Sequence, residues 1–257
     1  MDNGLLTREH YNTYNKTYLD LGKSNGQYGV IEGLCTTNPN EKFAFIGGKM
    51  DFKPNEKVLD AGSGFGYPAL YFAEIFKVDL TGININKEQL KVSNGVVKGT
   101  KNLRFKECNF NNISSLNTIF DKMIFIETIG HSDDLDKTFS EMYNNLAPGG
   151  TVFIQTTFST GENLTFLKRQ EKFWGYSNYM EKDFIKKALN AGFVIQENSE
   201  FPEMKWNKKG VRDFIGHIKS YVKSDDRKAL DYLDSLGVYC SYWKYIILRR
   251  KSYGIQS

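Results

Sequence analysis

Cysteine and histidine are scarce in this sequence, with three residues of each in 257. The cysteines, Cys35, Cys108 and Cys240, are odd in number and far apart, which favours reduced, packed thiols over a disulfide framework. No two histidines have the spacing of a ligand pair. We therefore expect no metal site built from histidine and cysteine side chains.

Long apolar runs and a strong charge of one sign are also missing. No run approaches the roughly 18 residues needed to span a membrane, and Met1 to Leu5 do not resemble a secretory signal, so a cytoplasmic protein is expected. The formal net charge of +4 does not favour a nucleic-acid partner. Basic residues are concentrated between Lys205 and Lys251. They fit exposed helix faces, or a contribution to binding a phosphorylated or diphosphate substrate.

The most specific motif present is a glycine-rich turn after a short apolar strand. Lys57 to Asp60 form the strand pattern, and Gly62, Gly64 and Gly66 follow at alternate positions. Such a turn lets a ligand approach the backbone and presents a helix N-terminus to polar ligand groups. Dinucleotide folds use G-x-G-x-x-G, with an acidic residue about 20 positions downstream, whereas Asp60 precedes the glycines here. The arrangement resembles the first motif of class I S-adenosylmethionine (SAM) dependent methyltransferases.

The middle of the chain alternates strand and helix patterns, which indicates a parallel sheet. Strands are predicted at 57–60, 78–84, 103–108, 122–126 and 151–157, and helices at 67–76, 87–98 and 135–146. A helix at 180–191 and strands at 193–196 and 238–250 follow, the last being antiparallel. The resemblance implies an α/β, Rossmann-like methyltransferase fold with a mostly parallel seven-stranded sheet. The turn Pro148-Gly149-Gly150 is expected to precede the fifth strand.

Two regions outside this alternation define the predicted domain organisation. Residues 1–50 are expected to form an N-terminal helical lid, because Tyr11, Tyr14, Tyr18 and Leu21 recur at helical spacing. Those tyrosines can equally anchor an extra helix in the core. Residues 51–257 are expected to form the SAM-binding domain, with cap insertions near 158–178 and 201–237.

The resemblance covers about residues 55–155 and implies a set of cofactor-binding residues. Asp60 is expected to reach the methionine portion of SAM, directly or through water, and the turn residues Gly62, Ser63, Gly64 and Gly66 are expected to pass beneath the cofactor. The ribose is expected at Asn84 and the adenine at Asn109, and the family more often has an acid at both positions. An asparagine oxygen still accepts hydrogen bonds, and Gln89 is expected to assist Asn84. Both asparagines can instead be simple turn residues. The complete implied set adds Ile85, Phe110, Glu127 and Tyr18.

A second motif, Glu127-x-x-x-His131, is similar to one in sterol and related carbon methyltransferases. Glu127 is expected to bind the cofactor or to stabilise a carbocation formed when an alkene attacks the methyl group. His131 is a candidate base, or it closes over the cofactor without taking a proton. The chain after this motif is rich in aromatic residues. We expect them either to line an acceptor cavity, where ring faces attract cations, or to fill the core. They are Phe153, Phe158, Phe166, Phe173, Trp174, Tyr176, Tyr179 and Trp206.

The resemblance implies a SAM-dependent methyltransferase that acts on a small molecule and releases S-adenosylhomocysteine. The Glu127 motif favours carbon methylation of an isoprenoid-like or other apolar acceptor. Oxygen or nitrogen methylation of a natural product is an alternative, as is a SAM-binding protein or cyclase that does not transfer methyl groups. The glycine spacing disfavours a nicotinamide-dependent dehydrogenase. A homo-oligomer is left open.

Overall fold

A computed structural model describes residues 39–97, 99–162, 175–200 and 241–252, together with residues 9, 11–13, 15, 165, 167–168 and 171–172. None of the helices in these ranges combines the length and the apolar character that crossing a bilayer requires. Much of the predicted lid, including Tyr14, Tyr18 and Leu21, lies outside the described residues, as does the insertion predicted at 201–237.

A single sheet organises the described part of the chain, in the order β3-β2-β1-β4-β5-β8-β7, with β6 beside the end of β5. Every pairing is parallel except those of β8 with β5 and β7, which confirms the predicted antiparallel last strand. The strands are β1 (Lys57–Ala61), β2 (Asp79–Asn84), β3 (Leu103–Glu107), β4 (Phe120–Ile126), β5 (Leu146–Ser159), β6 (Tyr179–Met180), β7 (Phe193–Ser199) and β8 (Ser241–Arg250).

Helices cover both faces of this sheet. They are α1 (Pro39–Met50), α2 (Tyr67–Phe76), α3 (Lys87–Val96), α4 (Leu135–Asn145) and α5 (Glu181–Asn190), with 3₁₀ turns at Phe110–Leu116 and Ile129–His131. Local signals place the helix starts as expected. Asn86 caps α3 by accepting from the Gln89 backbone N–H, and Asp134 caps α4 by accepting from that of Lys137. Pro68 stands in the first turn of α2, where no backbone donor is needed.

Alternating strand residues build two hydrophobic cores, one on each face of the sheet. In β4, Met123 and Phe125 pack with α4 and α5, whereas Ile124 and Ile126 pack with α1, α2 and α3. This period of two is the expected result of strand geometry, with a helix layer on each side. The apolar area buried in these layers supplies most of the driving force for folding.

Three features differ from the predictions. The sheet has eight strands and not seven, because the two-residue β6 pairs with the end of β5. The Pro148-Gly149-Gly150 segment lies inside β5, which begins at Leu146, and the register against β4 shifts between Phe120 and Lys122. The register shift absorbs the extra residues that the sequence pattern placed in a separate turn. Helix α1 falls within the residues predicted as a lid, yet its Phe43 and Ile46 are fully buried in the core beside α2.

Candidate functional site

The site lies at the carboxyl ends of four neighbouring strands. Asn109 follows β3, Asn84 ends β2, Asp60 is near the end of β1, and Glu127 follows β4. Because the sheet order is β3-β2-β1-β4, these four residues come from contiguous strands, and the chain reverses its direction of progress between β1 and β4. Open α/β sheets bind ligands at such a switch point.

The glycine turn connects β1 to α2 with left-handed backbone angles. Gly62, Gly64 and Gly66 have φ values of +79°, +52° and +87°. A Cβ at Gly62 would lie 2.5 Å from the Thr128 side chain, and one at Gly66 would lie 2.6 Å from the Phe105 ring. At Gly64 no heavy atom of the described chain lies within 4 Å of the Cβ position. Packing therefore explains two of the glycines, whereas Gly64 leaves an open cradle beside the strand ends.

Asp60 precedes this turn and Ser63 lies within it, and both are buried. The backbone N–H groups of Gly62 and Ser63 donate to the Ile83 carbonyl oxygen, each at 2.9 Å. These bonds attach the turn to the end of β2. The start of the cradle is thereby held against the sheet by backbone hydrogen bonds.

Asn84 belongs to a group of five carboxamides that we call the amide cluster, which comprises Asn12, Asn15, Asn84, Asn86 and Gln89. Asn84 Nδ2 donates to Gln89 Oε1 at 2.7 Å and to the Gly64 carbonyl oxygen at 3.3 Å. Its Oδ1 accepts from the Asn86 backbone N–H at 3.0 Å. Gln89, which the sequence predicts to assist Asn84, is thus hydrogen-bonded to it. Ile85, between β2 and α3, is partly buried.

The rest of the amide cluster reaches the N-terminal segment. Gln89 Nε2 donates to Asn15 Oδ1 at 3.0 Å, and Asn15 Nδ2 donates to Asn86 Oδ1 at 3.1 Å. Asn86 Nδ2 then donates to Asn12 Oδ1 at 3.0 Å. Residues 11–13 and Asn15 are helical, so a helical piece of the N-terminal segment is hydrogen-bonded to the end of β2. Nothing in the sequence pattern indicated Asn12 or Asn15.

Asn109 has the capping role that the turn interpretation describes. Its Oδ1 accepts from the Asn111 backbone N–H at 2.8 Å, at the start of the 3₁₀ turn Phe110–Leu116. That oxygen has a second lone pair for a ligand. Phe110 is partly buried, and its ring lies edge-on to Phe125 with centroids 5.9 Å apart.

Glu127 has an uncommon backbone conformation and buried partners. Its φ is +57°, and its N–H donates to the Gln155 carbonyl oxygen at 2.9 Å. Its Oε1 accepts from Lys42 Nζ at 3.2 Å and from Gln155 Nε2 at 2.8 Å. Sequence reasoning missed both partners. A polar residue inside the apolar strand that includes Phe153 and Ile154 was the available signal for Gln155.

His131 lies on the 3₁₀ turn that follows Glu127. Its Nδ1 is 2.8 Å from the Gly175 carbonyl oxygen, which can only accept, so Nδ1 carries the hydrogen. Nε2 then faces the Tyr11 hydroxyl, 3.5 Å away. Burial lowers the pKa of His131 from 6.5 to about 4, although the Gly175 carbonyl opposes this shift. The imidazole is therefore neutral near pH 7.

Of the predicted cavity aromatics, Tyr176 lies at the site. Its ring is perpendicular to that of His131, with centroids 5.1 Å apart, and its hydroxyl is 2.6 Å from Thr156 Oγ1. Gly130 permits this packing, since a Cβ there would lie 2.3 Å from the Tyr176 ring.

The remaining aromatics divide into core residues and residues outside the described part of the chain. Phe153 and Phe158 are fully buried in the two cores, where Phe153 stacks on Tyr245, and Tyr179 packs against one core. The core interpretation therefore holds for Phe153 and Phe158. Tyr18, Phe166, Phe173, Trp174 and Trp206 lie outside the described residues.

With the geometry in place, comparison with known proteins gives the family. A family model described as a methyltransferase domain matches residues 52–209. The chain belongs to this methyltransferase-domain family. The matched region of the methyltransferase domain begins before β1 and includes all four strand ends described above.

Similar proteins include two curated methyltransferases. Phosphoethanolamine N-methyltransferase 3 of Arabidopsis thaliana is 28% identical over 229 residues, which cover 86% of this chain and 45% of the relative. Sterol 24-C-methyltransferase erg-4 of Neurospora crassa is 29% identical over 157 residues, covering 57% of this chain and 40% of the relative. The chain thus spans less than half the length of either relative.

The fold is also similar to a solved structure over nearly its whole length. The crystal structure of the [4+2]-cyclase SpnF gives a TM-score of 0.76 at 12% identity, covering 98% of each chain. At this identity the similarity concerns the fold of the methyltransferase domain.

Proposed function

We propose that this chain binds SAM at the carboxyl ends of β1 to β4 and transfers its methyl group to a small-molecule acceptor. The observation that carries the proposal is the open cradle at Gly64, beside polar side chains from four contiguous strands. A backbone that needs glycine but has no neighbour at the Cβ position suits the close approach of a ligand. The donors and acceptors around it suit a nucleoside with a polar amino-acid tail.

In this proposal the residues divide along the cofactor. The amino-acid portion of SAM would be held by Asp60 and by the turn residues Gly62, Ser63, Gly64 and Gly66. The ribose would lie against Asn84, Ile85 and Gln89. Asn109 and Phe110 would hold the adenine, by the second lone pair of the Asn109 oxygen and the exposed part of the phenyl ring. Glu127, and Tyr18 from the predicted lid, complete the proposed set.

SAM supplies a methyl group that is already activated by the sulfonium charge, so the protein's main tasks are orientation and exclusion of water. The N-terminal segment contacts the site through three side chains. The Tyr11 hydroxyl lies near His131, and Asn12 and Asn15 accept hydrogen bonds from Asn86 and Gln89. These contacts support an enclosing role for that segment. Glu127 presents a carboxylate next to the strand ends. We propose that it hydrogen-bonds the cofactor or the acceptor.

His131 fits a positioning role better than that of a strong base. A pKa of about 4 means that the imidazole binds a proton weakly at neutral pH. Its Nε2 can accept from the Tyr11 hydroxyl, and its Nδ1–H is held by Gly175. We therefore propose that His131 orients the N-terminal segment, and that proton removal, where the acceptor requires it, is a secondary role.

For the acceptor, we propose an apolar molecule methylated at carbon. The similarity to a sterol 24-C-methyltransferase and the Tyr176 ring beside His131 support this choice. Nitrogen methylation is the second candidate, supported by the longer alignment with a phosphoethanolamine N-methyltransferase. Because one structural neighbour is named as a cyclase, we include a third outcome in the test, which is SAM binding without methyl transfer.

Calorimetric titration of the chain with SAM and with S-adenosylhomocysteine tests cofactor binding. Gly64→Ala should weaken both affinities by about tenfold or more, equivalent to about 1.4 kcal/mol, because its Cβ enters the cradle. Gly99→Ala is the matched control, since Gly99 also has a positive φ, +103°, and open space, but lies outside the site. Equal losses in the two variants would assign the effect to backbone strain and contradict the cradle.

Incubation with SAM and a panel of apolar, amine and hydroxyl acceptors then tests the reaction. Formation of S-adenosylhomocysteine with an alkene acceptor would support carbon methylation. Tight SAM binding without product across the panel would favour the binding protein or cyclase. NAD binding without SAM binding would remove the proposal altogether.

A further inference from the structure

A buried lysine is paired with Glu127. Lys42 belongs to α1, and its Nζ lies 3.2 Å from Glu127 Oε1. The two side chains are 1% and 10% exposed. Burying a charged ammonium is costly unless an opposite charge and hydrogen bonds compensate for the lost water. An uncharged residue would satisfy the packing of α1 at lower cost, so the lysine at this position calls for an explanation beyond folding.

The same helix carries a lysine in a more ordinary setting. Lys49 Nζ lies 2.6 Å from Glu197 Oε1, with side chains that are 34% and 29% exposed. Exposed pairs of this kind contribute little to stability. Lys42 differs because its carboxylate partner stands at the carboxyl edge of the sheet, next to the cradle, and because water is largely excluded from the pair.

Glu127 is held in a conformation that is unfavourable on local grounds. A non-glycine residue at φ +57° costs about 1–2 kcal/mol. Gln155, which is fully buried, turns its Nε2 toward the Glu127 carboxylate, and its Oε1 has no hydrogen-bond partner within the described residues. Such a combination of backbone strain and an unsatisfied buried oxygen is characteristic of functional sites, where position matters more than stability.

We infer that Lys42 is a positioning residue of the proposed methyl-transfer site, whose ammonium keeps the Glu127 carboxylate ionised and fixed at the end of β4. The place of Lys42 in catalysis rests on the proposed function, whereas its effect on Glu127 does not. Lys42 and Gln155 approach the same carboxylate oxygen from α1 and β5. Together they fix the orientation of the Glu127 carboxylate, because the Lys42 ammonium and the Gln155 side-chain NH₂ group can only donate hydrogen bonds.

Of the polar side chains that the structure describes near Glu127, three others bear on its charge, and none of them is a cation at neutral pH. His131 is neutral at pH 7, because burial lowers its pKa to about 4. Tyr176 is a protonated phenol, since burial raises its pKa and the charge of Glu127 adds to that shift. Asp60, on the neighbouring β1, has the same sign of charge as Glu127 when ionised. Loss of the Lys42 ammonium should therefore make protonation of Glu127 easier.

Carboxyl ¹³C NMR of chain labelled at glutamate measures this effect without a known acceptor, with the Glu127 signal assigned from its loss in Glu127→Gln. In Lys42→Met the titration midpoint of Glu127 should rise by about 1–3 pH units, the range expected when an adjacent opposite charge is removed. Lys42→Arg should restore the midpoint to that of the original chain. Lys49→Met removes a lysine from the same helix and should leave the Glu127 signal unchanged.

Lys42→Gln provides a second variant that keeps a hydrogen-bond donor without the charge, and it serves if Lys42→Met does not fold. An unchanged Glu127 midpoint in the folded uncharged variant would overturn the inference. SAM titrations near pH 6 and pH 8 complete the test. Affinity in the uncharged variant should fall toward pH 6 more steeply than in the original chain. A shifted midpoint with unaltered SAM affinity would refute a role for Lys42 in the cofactor site.

Failure of the proposed function has a different signature. If the original chain does not bind SAM at all, the SAM-binding proposal is wrong, whereas the NMR midpoint still decides whether Lys42 controls the ionisation of Glu127. The two proposals therefore fail on separate measurements.

Discussion

Asn84 donates a hydrogen bond from its Nδ2 to Oε1 of Gln89, at 2.7 Å, and a second one to the carbonyl oxygen of Gly64, at 3.3 Å. An ionised aspartate has no donor for either oxygen. The asparagine is therefore more than a weaker substitute for the acid that is common in the family. It connects the end of β2 to the glycine turn and to Gln89, another member of the amide cluster.

Asn84→Asp should consequently destabilise the chain, even though it restores the more common acidic residue. The carboxylate would face the oxygens of Gly64 and Gln89 in a buried setting, at a cost of about 1–3 kcal/mol in the free energy of unfolding. Urea unfolding near pH 7 measures this difference. Asn144→Asp makes the same chemical change at an exposed position and should change stability by less than about 0.5 kcal/mol. An Asn84→Asp chain as stable as the original would show that Gln89 reorients freely.

Asn15→Ala should weaken SAM binding while leaving the sheet intact. Asn15 is 8% exposed, accepts from Gln89 Nε2 and donates to Asn86, so its loss leaves two buried carboxamides with one partner fewer. A loss of about 1 kcal/mol, or about fivefold in affinity, is expected from one buried hydrogen-bonding group. Calorimetry measures the affinity, and thermal unfolding monitors the fold.

Thr13→Ala is the control for that experiment. Thr13 is exposed, and its hydroxyl donates within the N-terminal segment to the Glu9 carbonyl oxygen. Its replacement should leave SAM affinity unchanged. Similar losses in both variants would show that the helical content of the segment matters, and not the amide cluster.

His131→Gln should change how stability depends on pH. The pKa of His131 is lowered from 6.5 to about 4 on folding, so between these values the unfolded chain binds a proton that the folded chain does not. The stabilisation from the neutral imidazole is complete above about pH 6.5 and is lost progressively as the pH falls toward 4. The full effect is on the order of 3 kcal/mol, since each pH unit between the two pKa values corresponds to about 1.4 kcal/mol.

Denaturant unfolding of the original chain and of His131→Gln, at several pH values across this window, gives the comparison. The difference in unfolding free energy between the two chains should decrease as the pH is lowered, because glutamine does not titrate. A constant difference would mean that His131 has an ordinary pKa in the folded chain, and would reopen its assignment as a base.

Much of the secondary structure followed from local patterns. Helix α2 has the bounds that the glycine turn, Pro68 and the apolar spacing predicted, and α3 starts after the cap at Asn86. Strands β2, β3 and β4 lie within about two residues of their predicted positions, an error that is normal for element ends. These features depend on residues that are close together in the sequence, so they can be predicted from the sequence alone.

Contacts between distant segments were not predicted. Lys42 precedes Glu127 by 85 residues, and Asn15 precedes Gln89 by 74. No periodicity connects such positions, and a lysine on a helix is most often exposed. The sequence suggested a lid over residues 1–50, but the burial of Phe43 and Ile46 in the core depends on how α1 packs against α2 and the sheet.

The sequence by itself determined the alternation of strands and helices, the glycine turn, and the residues that end β1 to β4, because each depends on local backbone preference and on a period of two or 3.6 residues. The tertiary structure alone decided that the Cβ position of Gly64 is open, whereas those of Gly62 and Gly66 are occupied by other side chains. It also decided that Asn84 acts as a hydrogen-bond donor and that the buried ammonium of Lys42 lies beside Glu127. Those properties arise from distances between side chains on different elements, which exist only after the layers have packed.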